Sequence, residues 1–435
     1  MSTQTPAPTE GPAGVAVDES GRPQTITVVS RKTPVIMAVV TVGLGLAVLL
    51  GAQDGTTAFR LSTADDLFAL PTVELPAEVT ALVLIALMAV CTAEATRRYL
   101  ARSTTPLWLV AVFSVLGLVA FLAWAAAGGT VPVVGLLAGS LLLAVPLVFG
   151  ALGGVLGERV GVVNIAIDGQ LLAGAFAAAM IGSITGSPWI GIVAAMAAGT
   201  LVALVLGLFA ISYFVDQVIV GVVLNVLVIG FTSFMFSQVL AENTEALNTP
   251  PRLTAVAIPL LSEIPLVGPI FFKQSPIVYL LYVAVAAVTF ALYRTRWGLR
   301  LRAVGEHPKA ADTVGINVNR TRYRTVLLAG AIAGAGGAFY TLVSVQAFNR
   351  EMTGGAGYIA LAAVIFGKWD PIRATLAALL FGFASNLQGV LSVIGSPVPS
   401  EFMLMLPYLV TIIAVAGLVG RSRAPAAVGL PYRKG

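Results

Sequence analysis

Charge, cysteine and histidine are all scarce in this sequence. Of 435 residues, 10% are Asp, Glu, Lys or Arg, against about 25% in soluble domains. That shortfall excludes an ordinary water-soluble enzyme, a disordered protein and a nucleic-acid binder. The single cysteine, Cys91, lies inside an apolar stretch, so neither a disulfide framework nor a multi-cysteine metal site can be built, and it reads as a small core residue. The single histidine, His307, leaves metal-assisted or histidine-based nucleophilic catalysis almost nothing to use. It reads as a solvated or helix-capping residue in a basic loop. There is no G-x-x-x-x-G-K-[ST] run, so the backbone cradle of a P-loop ATPase is missing, and neither H-E-x-x-H nor G-x-S-x-G occurs. No catalytic residue, metal or bound cofactor is expected on this chain.

What is abundant is apolar. Hydrophobic residues make up 58% of the chain and the mean hydropathy is +0.94. A helix crossing the hydrocarbon core needs about 20 mostly apolar residues, and such stretches fill most of the sequence after residue 33. They lie near 34–50, 79–93, 107–127, 131–156, 170–186, 189–214, 217–240, 276–293, 325–347, 357–367, 373–394 and 402–419. The expected fold is all-α, a polytopic transmembrane helical bundle of ten to twelve spans. The segment ending at Gly367 is short enough to be re-entrant or broken. With both termini placed in the cytoplasm, all of the 25 Lys and Arg except Arg60, Arg252, Lys273 and Arg350 fall on the inner side, whereas the 20 acids split evenly. That is the asymmetry the positive-inside rule demands, so the net charge of +5 reflects topology. Residues 1–32, rich in Pro, Thr, Gly and Ser and without the pattern of a secretion signal, read as a disordered cytoplasmic tail.

Two polar segments interrupt the apolar runs. The first runs from Gly157 to Gln170 and carries Glu158, Arg159, Asn164 and Asp168. Charges at a helix centre are costly, so these residues lie at the boundary or face protein: either a polar turn at the surface, or an inward-folding segment that shapes a pathway. The second is the basic loop 294–324. Pro308 suits a first helical turn, Ala310 and Ala311 are strong helix formers and Gly315 suits a helix end. It is either a solvated loop that fixes topology or a docking helix for a cytoplasmic partner. Residues 174–199 align without gaps on 357–382, each member opening on a short, Gly-bearing segment of the kind expected of discontinuous helices around a substrate path; shared Ala and Gly richness explains the weak similarity as well as a true repeat does. Buried amides, Asn225, Asn386 and Gln388, either line a polar substrate path or bond a neighbouring helix.

The motifs E-R-V-G-V-V-N-I-A-I-D-G, G-E-H-P-K-A-A-D-T-V-G-I-N-V, L-A-G-A-I-A-G-A-G-G-A-F-Y and Y-I-A-L-A-A-V-I-F-G-K-W-D-P follow one another in this order. Together they resemble the permease subunits of bacterial ABC importers for nucleosides and simple sugars, within the ribose, nucleoside and branched-chain amino acid permease superfamily. The resemblance implies an ABC permease core over 131–421, additional N-terminal transmembrane segments over 33–130 and a cytoplasmic tail over 422–435. It implies ATPase coupling through Gly305, Glu306, Pro308, Ala310, Ala311, Gly315 and Ile316, and a permease loop motif at Glu158, Arg159, Gly161, Asn164, Asp168 and Gly169. Asp168 stands where a glutamate is more usual, one methylene shorter. The implied partners are a cytoplasmic ABC ATPase carrying ATP and Mg, a second permease that is a related chain rather than another copy, and an extracytoplasmic substrate-binding lipoprotein, all in a bacterial cell membrane. An ion-coupled secondary transporter is the alternative. It is weakened because Glu94, Glu158, Asp168 and Asp216 lie near span ends, and an integral membrane enzyme lacks any convergent acid, base or metal cluster. The closing motif favours nucleosides over sugars.

Overall fold

A computed structural model describes residues 31–51, 53–63, 66–395, 401, 402, 405 and 423–434. Most of the expected segment 402–419 and nearly all of the tail 1–32 lie outside the described residues. Two compact units are formed, one from the described parts of Met1–Gly55 and Pro76–Trp124, the other from those of Thr56–Leu75 and Ala125–Gly435.

The first unit contains α1 (Lys32–Leu50), α2 (Ala77–Leu100) and α3 (Leu107–Ala125). Met37, Met88, Ala95, Leu109 and Phe113 form its core. Outward-facing Val39, Val42, Val79 and Val90 stay more than half exposed, as residues facing lipid do. Glu94 near the end of α2 pairs with Arg97 and Arg98, each at 2.7 Å, an i,i+3 and i,i+4 arrangement at the helix surface.

The second unit holds α4 (Val133–Arg159), α5 (Ile167–Thr185), α6 (Pro188–Gly207), α7 (Gln217–Met235), the single turn α8 (Thr244–Leu247), α9 (Pro276–Arg294), α10 (Arg296–Glu306), α11 (Pro308–Thr313), α12 (Val318–Phe339), α13 (Ala356–Phe366) and α14 (Pro371–Ile394). The starts follow local chemistry. Proline fills the first position of α6, α9 and α14, where no intrahelical N–H partner is needed. Asp216, Thr295, Asn317 and Asp370 accept backbone N–H bonds as N-caps. Wider π turns extend α6, α7 and α12 to Ser212, Leu240 and Ser344. Short strands also occur, which an all-helical reading did not foresee: β1 (Thr56–Arg60) lies between β2 (Val73–Pro76) and β3 (Thr130–Pro132), and β4 (Val256–Ala257) pairs with β5 (Lys273–Gln274).

Among the described residues ten helices are long and apolar enough to cross a bilayer, and the fold is an all-α polytopic bundle. α13, with eleven residues, rises about 16 Å and reaches about halfway. α12 is the hub, packed against α4, α5 and α6. A bilayer offers no hydrophobic drive for helices to associate, so close approach of small residues does the work. A Cβ at Gly334 would meet the Ala195 carbonyl, one at Gly199 the Gly330 carbonyl, and one at Gly337 the Leu171 carbonyl.

Two expectations need correction. α12 starts at Val318 rather than near 325, because Asn317 caps Arg320 N at 2.9 Å and the arginine-bearing stretch after it continues the helix. The internally similar stretches 174–199 and 357–382 both form a helix, a turn and a helix opened by proline (α5–α6 and α13–α14). The helices beginning each pair differ, 19 residues in α5 against 11 in α13, so the first is not a short segment.

Candidate functional site

The polar segment after α4 turns inward. Gly161 takes φ +92°, a left-handed conformation that glycine adopts without a Cβ penalty. There the Arg322 guanidinium and the Ala427 carbonyl crowd the space a side chain would need. Beyond it, Gly169 N donates to Asn225 Oδ1 at 2.8 Å, and Asn225 Nδ2 donates to the Ile165 carbonyl at 2.9 Å and bonds the Tyr358 hydroxyl at 3.0 Å. Asn225 sits eight residues into α7, about 12 Å from its start. The chain therefore reaches well into the bundle before α5 begins. Asn164 and Gln170 close the turn through a reciprocal amide pair at 3.0 and 3.2 Å, and the Gln217 side chain accepts Val163 N at 2.7 Å.

The two carboxylates of this segment grip opposite ends of α13. Asp168 Oδ1 accepts Gly357 N at 2.9 Å and Oδ2 accepts the Thr353 hydroxyl at 3.3 Å, which anchors the N-terminal end. Asp168's own backbone occupies the space a Cβ at Gly357 would fill, so the short aspartate side chain suits a helix held this close. At the other end Trp369 Nε1 donates to Glu158, and Arg159 Nε donates to the Trp369 carbonyl at 2.8 Å. Lys368 and Trp369 there both have positive φ, 55° and 56°, a strained backbone that persists where surrounding contacts determine it. Glu158, Asn164 and Asp168 are all buried, so each must keep its partners. Trp369→Phe is expected to strand the Glu158 carboxylate and cost about 1–3 kcal/mol, read as a lower melting temperature of the purified chain in detergent.

The arginine-rich loop folds as a helical hairpin, α10 and α11, with exposed His307 at the junction. Pro308 opens α11 as the sequence suggests; α10 was missed, although Thr295 accepting Gly298 N at 3.1 Å is a readable cap. Gly305 lies against the Arg159 carbonyl and Gly161 N, so the hairpin touches the loop motif directly. Ala311 is buried, Glu306 and Ala310 are exposed, and Gly315 leaves the hairpin at φ +83° into half-buried Ile316.

The sequence reading also missed a strap. Residues 423–434, read as a tail, run back across this hairpin. Ala427 N donates to the Gly305 carbonyl at 2.9 Å, Gly429 N to the Gly161 carbonyl at 3.3 Å, and Ala426 N to Glu306 Oε2 at 3.2 Å. Buried Arg322 donates to the Leu430 carbonyl at 3.0 Å, and Arg433 stacks on Phe214 at 5.0 Å. Tyr432 bonds Asp312, and burial together with that carboxylate raises its phenol above the ordinary value. Nothing in the composition of 423–434 signals such docking; an arginine inside the α12 pattern with no acid nearby in sequence is the one trace.

The remaining candidates separate. Asn225 serves the inward turn. Asn386 Nδ2 donates to the Leu136 carbonyl at 2.7 Å and ties α14 to α4, while half-buried Gln388 lies two residues along. Both asparagines thus spend their amides on neighbouring backbone, the second of the two uses the sequence allowed. Among the described residues no His, Cys, Asp or Glu cluster could hold a metal ion.

The profile of the family described as "Branched-chain amino acid transport system / permease component" matches residues 136–415. The chain is 42% identical to the guanosine ABC transporter permease protein NupQ of Bacillus subtilis, over 68% of this chain and 95% of that one. It is 39% identical to the nucleoside ABC transporter permease protein NupC of Lactococcus lactis (69% and 96%), and 35% to the putative glucose ABC transporter permease protein TsgC13 of Haloferax volcanii (67% and 93%). No solved structure matches the chain.

Proposed function

This chain belongs to the branched-chain amino acid transport system / permease component family, and from that membership we propose that it forms the translocation path of an ATP-driven importer for nucleosides. The observation that carries the mechanism is the unbroken run of contacts from the hairpin to the half-helix. Gly305 packs on Arg159 and Gly161, Arg159 and Glu158 hold Trp369, and Asp168 holds the far end of α13. Packed, hydrogen-bonded elements of this kind move as units rather than deform continuously.

A cytoplasmic ATPase binding ATP and Mg would grip α10–α11, with Glu306, Pro308 and Ala310 at the contact and buried Ala311 packing the hairpin beneath them. Its closure would displace the hairpin, and the Glu158, Arg159 and Asp168 clamp would carry that displacement to α13. The ten apolar spans make this a multi-pass membrane protein, and the reading places both termini in the cytoplasm. A second, related permease completes the path, and an extracytoplasmic lipoprotein delivers the ligand. The names of NupQ and NupC favour nucleosides, and that of TsgC13 keeps simple sugars as the second choice.

Proteoliposome uptake of radiolabelled guanosine with the partner subunits tests this. Uptake should need ATP and the ATPase, and uptake driven by an ion gradient alone would replace the reading with a secondary transporter. Ala311→Gln, which overfills a buried position in the hairpin, is expected to lower uptake by about tenfold with membrane insertion unchanged.

A further inference from the structure

Two cavities in the second unit share Trp297. The first, about 250 Å3, is an apolar groove between α9 and α12 lined by Ala284, Ala287, Val288, Ala291, Leu328 and Ile332. Alanines at 284, 287 and 291 keep the α9 side shallow over two turns, about 10 Å. The second, about 680 Å3, lies beneath it against α10 and the start of α12, and its ionisable lining residues are Arg300, Arg320 and Arg324. No acid lines it, and among the described residues none of the three arginines forms a salt bridge. The hairpin's own carboxylates are engaged by the strap, Glu306 with Ala426 N and Asp312 with Tyr432.

The two cavities adjoin at Trp297 and follow one helix face. Arg320, Arg324, Leu328 and Ile332 follow at steps of four residues, which puts them on one side of α12 over about 18 Å. The first two line the basic cavity and the last two the groove. Leu299 and Val314 beside the arginines are 62% and 74% exposed, so the cationic end is itself set in apolar surface. An occupant that satisfies both cavities has an anionic head and an apolar tail.

The geometry points to a binding site for an anionic phospholipid, its phosphate held by Arg300, Arg320 and Arg324 and one acyl chain lying along the α9–α12 groove past Trp297. Guanidinium groups suit phosphate because their fork of donors matches its oxygens, and basic pockets between membrane helices take anionic headgroups. An acidic protein surface would meet the same arginines but would leave the apolar groove empty. The site requires only that the chain span a membrane, so it stands or falls separately from the nucleoside reading.

Native mass spectrometry of the purified full chain, exposed to phosphatidylglycerol or phosphatidylcholine of identical acyl composition, tests the site. Phosphatidylglycerol should be retained on the order of tenfold better than phosphatidylcholine, and the Arg320→Gln/Arg324→Gln variant should lose that preference. Ala287→Trp fills the groove from an exposed position without touching an arginine, and it should lower retention too; thermal melting without lipid shows that each variant is folded. Equal retention of both lipids, or unchanged retention in Ala287→Trp, would overturn the proposal. Displacement of the lipid by inorganic phosphate would make the basic cavity a free-anion site instead. Unchanged lipid retention with loss of the partner ATPase in Arg320→Gln/Arg324→Gln would make it a protein-docking surface, and would also overturn it.

Discussion

In Gly305→Val, ATP-driven uptake is expected to fall by about 5- to 150-fold. The end of α10 meets the turn after α4 at this residue, where an added Cβ would collide with the Arg159 carbonyl. A backbone carbonyl cannot swing away as a flexible side chain does. Overpacking of this kind costs about 1–3 kcal/mol, and 1.4 kcal/mol is a factor of ten. The penalty falls on the state in which hairpin and turn are engaged, so the ATPase should hydrolyse ATP at a rate less tightly tied to uptake. Uptake and hydrolysis measured side by side in proteoliposomes, with insertion checked by protease protection, decide the matter. Normal uptake in Gly305→Val would show that drive reaches α13 by some other route.

Gly334→Val is expected to damage the fold itself. Position 334 lies where α12 crosses α5 and α6, against the Ala195 carbonyl and Gly199, and the Gly174 position faces the same spot from α5. Any side chain there must separate three helices at once and undo the close packing that substitutes for hydrophobic drive in lipid. A loss of about 2–3 kcal/mol corresponds to a melting temperature lower by roughly 5–10 °C. Gly230→Val is the matched control. Its Cβ would meet nothing within 4 Å, so its melting curve should overlay that of the unaltered chain. Equal melting of both variants would remove the crossing from the account.

Much of this architecture was legible because membrane helices must carry long apolar runs, and these located each described span, with boundaries seven residues off at the end of α2 and the start of α12 where charged residues continue the helix. Loop 294–324 stood out through its arginines, and Pro308 and Gly315 marked α11 correctly. What the local pattern left open was structure made by backbone contact. The inward turn depends on Asn225 bonding Gly169 N and the Ile165 carbonyl, a pairing 56 and 60 residues apart that no local pattern encodes. Glu158 and Asp168 looked alike as boundary acids, yet they hold opposite ends of one half-helix. Asn225 and Asn386 show the converse: intramembrane amides flagged the two residues as substrate contacts or helix ties, and only the structure names the backbone groups they bond.

The strap also governs local opening. Residues 423–434 supply hydrogen bonds that steady Gly305, Gly161 and Glu306. Peeling them away would release the Gly305 and Gly161 carbonyls while leaving the membrane helices packed, so amide protection of the hairpin reports the docking of this segment rather than the stability of the bundle.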